Sequence, residues 1–241
     1  MKTAIKTLAS LVALSPLANA ELVGLNFQGN GAANLASGTF AGDTAGTISP
    51  QANWNNAENG NNNLGTIANL TSSTGASSGI AASWLGPDSW NASGAVGASG
   101  NAQMSYGFIK SNTGSAQIPN GNVTVTFSNL PSGSLFDMII YTATDNASPT
   151  GTFSLNNTIN TSVSYLVGAG NAATFTENST KHTFSNLTAV GTSVTLTMSG
   201  AGAGLAGVQI STVPEPSSKL FLGLGALFGL GMIVRRARAK A

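Results

Sequence analysis

Residues 122–141 read NVTVTFSNLPSGSLFDMIIY. From Asn122 to Phe127 polar and apolar side chains alternate, the period of a strand with one buried face. Asn129, Pro131 and Gly133 then supply turn chemistry. Leu135 to Tyr141 is an almost unbroken apolar run. That is the pattern of a strand covered on both sides in the middle of a sheet.

The same signals recur outward from this stretch. Ser193 to Met198 alternates again, and Leu22–Phe27, Ile80–Leu85, Gln103–Lys110, Ser162–Val167, His182–Phe184 and Leu205–Ile210 complete about nine strands. Asn53 to Asn63, NWNNAENGNNN, reads as a long loop, too polar for a strand. Phe-Ser-Asn-Leu occurs at 127–130 and 184–187, each time after a strand-like run, which marks equivalent strand ends. Glycine and β-branched residues are too frequent for amphipathic helices, and the i, i+4 charge pairs of exposed helices are missing. The body, residues 21–212, is therefore expected to be all-β: a jelly-roll-like antiparallel β-sandwich.

Composition narrows the chemistry. The chain has 241 residues, no cysteine and one histidine, His182. Disulfides, thiolate nucleophiles and multi-histidine metal sites are excluded. Only 7% of residues are charged, against roughly 25% in ordinary domains. The cations cluster at the ends, Lys2 and Lys6 at one, Lys219, Arg235, Arg236, Arg238 and Lys240 at the other. Between residues 21 and 213 stand Lys110 and Lys181 against seven carboxylates, a formal charge of −5. Such a surface cannot neutralise a row of phosphates, so nucleic acid is not a partner.

The two ends read as addresses. Residues 1–20 have the order of a signal peptide: Lys2 and Lys6, then apolar Leu8–Leu17, then the small-x-small site Ala18-Asn19-Ala20 before Glu21. Residues 213–241 begin Val213-Pro214-Glu215-Pro216, continue through the uncharged apolar run Leu220–Val234, and end in Arg235-Arg236-Ala237-Arg238. As a single hydrophobic helix those fifteen apolar residues span about 22 Å, short of a bilayer core of about 30 Å. This tail resembles the PEP-CTERM sorting signal of Gram-negative bacteria that make exopolysaccharide. The resemblance implies a sorting motif at Pro214, Glu215 and Pro216, a basic cluster at Arg235, Arg236 and Arg238, and processing by an exosortase-like membrane protease. Lys219 departs from the pattern, since a neutral residue is usual before the apolar run.

The body has a resemblance too. GLNFQGNG, SPQANWNN, VTVTFSNLPSGSLFDMIIY, HTFSNLTAVGTSVTLTM and AGVQI look like exported proteins with a galactose-binding-like jelly roll. The resemblance implies neighbouring first and last strands. Sugar binding and a structural calcium ion occur in that wider fold. No D-x-D-x-D loop is present, so no calcium ligands can be named and no cofactor is expected.

Catalytic patterns are sparse. Gly75-Ala76-Ser77-Ser78-Gly79 matches the nucleophile-elbow motif, with Asp137 or Asp145 and then His182 downstream, but its neighbours have loop composition. His182 is expected to be a half-exposed strand residue. Asp43, Glu58, Asp88, Asp137, Asp145 and Glu177 share no motif that would pair two carboxylates. Trp54, Trp84 and Trp90, set among Asn, Ser and Asp, are candidate sugar-binding surfaces, against the alternative that they fill the core. The sequence thus points to a non-enzymatic exported protein of the cell surface or exopolysaccharide matrix. Its partners are signal peptidase, an exosortase-like protease, the inner membrane in transit, and exopolysaccharide. A secreted carbohydrate-binding module is the alternative, and an extracellular hydrolase the third.

Overall fold

The strands on either side of the Pro131–Gly133 turn land in different sheets. They belong to a computed structural model that describes residues 21–28, 51–57, 64–91, 104–105, 107–111, 120–143, 151–156, 178–200 and 202–212. In chain order the strands are β1 Leu22–Phe27, β2 Asn55–Ala57, β3 Leu64–Ile67, β4 Ala81–Leu85, β5 Asp88–Asn91, β6 Gly107–Lys110, β7 Val123–Ser128, β8 Leu135–Thr142, β9 Thr152–Asn156, β10 Lys181–Thr188, β11 Ser193–Ser199 and β12 Gly204–Thr212. The elements of the described residues are all strands, with Met104 alone in helical conformation. The first sheet runs β10-β8-β12-β1-β2, with β6 also on β12 and β5 on β6; the second runs β3-β4-β7-β11-β9.

The sheets pack face to face as a β-sandwich. Val23, Leu25, Phe136, Met138, Ile140 and Val208 of the first sheet share one core with Val125, Phe127, Leu196 and Met198 of the second. Phe27 and Trp84 meet across the gap edge to face, ring centroids 6.0 Å apart, a favoured aromatic arrangement. The Trp84 indole lies over Gly65, where a Cβ would stand 2.1 Å from the ring. Only glycine leaves room for that tryptophan.

The outer faces of the two sheets differ. Along β8, Phe136, Met138 and Ile140 face the sandwich core, while Ile139 and Tyr141 join a second cluster with Trp54, Met104, Phe108, Ala143 and Ala206. This double coverage is why LFDMIIY carries so little polar punctuation. A buried chain of polar groups crosses the same layer. Tyr141 Oη donates to Gln209 Oε1, Gln209 Nε2 donates to Gln51 Oε1 at 2.9 Å, and Trp54 Nε1 donates to the Gln51 carbonyl at 3.2 Å. On the second sheet β4, β7 and β11 alternate buried with half-exposed residues, so one face stays open.

Three expectations change. The Asn-rich stretch is not all loop, because β2 pairs parallel to β1, an exception in an otherwise antiparallel sandwich. Its polarity is satisfied locally. The Asn55 amide donates to the Gly24 and Thr71 carbonyls at 3.0 and 2.8 Å, and its oxygen accepts from the Thr71 N–H at 2.8 Å. Asn26 Nδ2 bonds Asn56 Oδ1 alongside at 3.1 Å.

The two Phe-Ser-Asn-Leu segments are not equivalent strand ends. Both asparagines adopt positive φ, Asn129 at 64° and Asn186 at 58°, a conformation Asn tolerates better than most residues. The first closes β7. The second lies inside β10, where Ser185 and Asn186 together oppose Asp137 as a β-bulge. Finally, the strand expected at Gln103–Lys110 covers only Gly107–Lys110, and that at His182–Phe184 extends over Lys181–Thr188. The candidate strand Ser162–Val167 lies outside the described residues.

Candidate functional site

The three tryptophans separate cleanly. Trp54 and Trp84 are each 4% exposed. Trp54 sits edge to face with Tyr141 at 6.0 Å, and Trp84 belongs to the inter-sheet core. Neither offers a ring face to a ligand, which corrects their reading as sugar-binding surfaces. Large aromatics contribute more by burial than by exposure, and two flat rings were needed to fill these layers. Trp90 is 47% exposed.

Trp90 stands on the edge strand β5, which pairs antiparallel with β6 so that Asp88 opposes Lys110 and Trp90 opposes Phe108. The Lys110 ammonium lies 5.0 Å from the Trp90 ring centroid and 3.6 Å from Asp88 Oδ2. Asp88 Oδ1 accepts from the Ser89 N–H at 2.9 Å, fixing the carboxylate. A cation over an indole face and beside a carboxylate is held twice. The result is an apolar ring bordered by charged hydrogen-bonding groups. The sequence signal for this pairing was D-x-W opposite F-x-K across two strands. It becomes visible only once the register is known.

The hydrolase residues fall elsewhere. Ser77 is an exposed residue bridged to Thr71, its Oγ hydrogen-bonded by the Asn69 amide. The stretch around it is a turn leading into β4, without the helix a nucleophile elbow requires. His182 is buried, not half-exposed as the sequence suggested. It faces the inter-sheet core with its ring 5.3 Å from Phe153. Asp137 Oδ1 accepts from the Asn186 N–H at 2.8 Å and so caps the β10 bulge. Among the described residues no group of three His, Cys, Asp or Glu side chains converges on a metal position. Asp43, Glu58, Asp145 and Glu177 lie outside them.

Of the address residues, Ala18, Ala20, Pro214, Glu215, Pro216, Arg235, Arg236 and Arg238 lie outside the described residues. Glu21 is described. Its N–H donates to Thr212 Oγ1 at 3.1 Å, and its carbonyl accepts from the Thr212 N–H at 2.9 Å. Burial holds its carboxyl above the ordinary carboxylate pKa. β1 and β12 run antiparallel, Leu22 opposite Ser211, so residues 21 and 212 sit side by side at one end of the sheet. Among the described residues no helix is long and apolar enough to cross a membrane. Set against protein-family models, curated protein sequences and solved structures, the chain matches none.

Proposed function

We propose that the chain is a non-enzymatic exported protein of the cell surface or exopolysaccharide matrix, sorted through its C-terminal segment. The observation that carries this reading is the sequence of features in the tail: Pro214-Glu215-Pro216, then the apolar run Leu220–Val234, then Arg235, Arg236 and Arg238. The prolines fix φ and lack an N–H, chemistry that opposes a strand ladder and suits recognition by a protease. The apolar run is marginal as a lasting anchor, and the arginine cluster resists translocation, which pauses the motif on the outer side. Signal peptidase acts at Ala20, and an exosortase-like protease acts at the Pro-Glu-Pro motif. The body is a jelly roll in this reading; the pairing of its first and last strands supports that, and the parallel β1–β2 pair is a local departure.

Glu215 is the one charge in the motif and its specificity contact. Glu215→Ala leaves export intact and blocks processing, so a membrane-bound precursor accumulates. Intact-mass analysis of the wild-type product reads the outcome directly. A final product without Leu220–Val234 supports sorting, and one that retains it reduces the tail to an anchor.

A further inference from the structure

The sandwich has one capped outer face and one open one. The open face of the second sheet is lined mainly by Ser and Thr hydroxyls. Strand register places Ser83, Thr126, Thr195 and Asn156 in one rank across four strands. Thr124, Thr197 and Ser154 form the next rank, which Leu85 and the exposed Leu64 extend as an apolar margin at the β3–β4 edge. Strands stand about 4.8 Å apart and successive ranks about 6.8 Å apart, so the first rank alone spans roughly 14 Å. Thr126 and Thr195 are joined through their hydroxyls at 2.9 Å. A hydroxyl donates once and accepts twice, so each keeps capacity toward a ligand while its orientation is fixed.

We propose that this face binds a neutral, extended polysaccharide lying across the threonine ranks. The proposal rests on the matrix reading above and names the ligand and its surface. Charge selects the ligand class. No Asp, Glu, Lys or Arg points from β4, β7, β9 or β11 onto the face. By sequence, residues 21–213 carry a formal charge of −5, which disfavours an anionic polymer and leaves a neutral one unopposed. A protein partner fits less well, since interface centres are rich in aromatics and Arg, and these strands turn none outward. Without stacking rings each sugar gains little, so affinity must come from many hydroxyl contacts along one chain.

The test uses the full chain, purified in mild detergent, in affinity electrophoresis. Gels contain hydroxyethylcellulose, xylan or dextran as neutral polymers, or polygalacturonate as an anionic one. At least one neutral polymer retards the chain, and raising the salt several-fold leaves the retardation unchanged. Thr126→Val with Thr195→Val keeps shape and strand preference but removes two hydroxyls. It weakens binding about tenfold or more with an unchanged melting temperature. Should that variant melt early, Ser83→Ala with Ser154→Ala replaces it, with the same expected weakening. Retardation by none of the neutral polymers overturns the proposal. So does salt-sensitive binding of polygalacturonate alone, or binding that survives both pairs of substitutions and is lost with Trp90→Ala. A chain processed normally at its tail yet not retarded sinks this inference and leaves the sorting reading standing.

Discussion

Replacing Trp54 with Ala tests whether the outer layer of the first sheet is structure or surface. The indole is 4% exposed, packs edge to face on Tyr141 at 6.0 Å, and anchors the Gln51 carbonyl through a 3.2 Å hydrogen bond. Truncating a buried Trp costs about 3–5 kcal/mol, a range that contains most of the lost ring contact. The stranded Gln51 carbonyl keeps the value in the upper half of that range, about 4 kcal/mol. In a body of about 190 residues, each kcal/mol moves Tm by roughly 2–4 °C, so Trp54→Ala lowers it by about 8–16 °C. Trp90→Ala is the internal reference. Its ring is half exposed and loses mainly the Lys110 contact, about 0.5–1 kcal/mol, for a shift under about 4 °C. Thermal melts and urea titrations of the two variants read the contrast. Equal small shifts would refute the packing argument and return Trp54 to the list of ligand-binding candidates.

Two further outcomes follow from single contacts. Asp137→Ala leaves the Asn186 N–H of the bulge without its acceptor and destabilises by about 1–3 kcal/mol in urea titration, whereas Asp137→Asn, which keeps an oxygen there, recovers most of the loss. The raised Glu21 carboxyl means the fold prefers its neutral form. Its contribution is present below the unfolded carboxylate pKa and fades as pH rises through the folded value. Glu21→Gln therefore raises Tm near pH 7 and has no effect near pH 3, read by melting at both.

The strands with clean periodicity were legible because each has one dominant environment. β7 and β11 alternate since one side meets the core and the other stays open, and β8 is continuous since both sides are covered. β2 was illegible because asparagine amides supply hydrogen bonds that no hydropathy pattern records. β3 and β5 are only four residues long, too short for a period to declare itself. By sequence alone the Phe-Ser-Asn-Leu repeat looks like one feature used twice. The local message, an asparagine at positive φ, was the same in both places, and the partner strand decided between an end and a bulge. For the tryptophans, composition around each residue was a poor guide. Trp54 has asparagine on both sides and is buried, because burial depends on the neighbouring sheet, not on chain neighbours.

The position of β12 has a consequence for biogenesis. It is the last strand among the described residues, and it is the hub of its sheet, touching β1, β8 and β6. Until it arrives, each of those three strands has an unsatisfied edge, and β1, paired early with β2 on one side, waits through almost the whole body for β12 on the other. Contacts this distant in sequence slow folding and expose strands to wrong pairings. The sheet therefore closes only once residue 212 is free to pair, with residues 213–241 still to follow. Under the sorting role proposed above, a tail held at the membrane would keep each molecule apart from its neighbours during that interval, so that this strand finds its own sheet first.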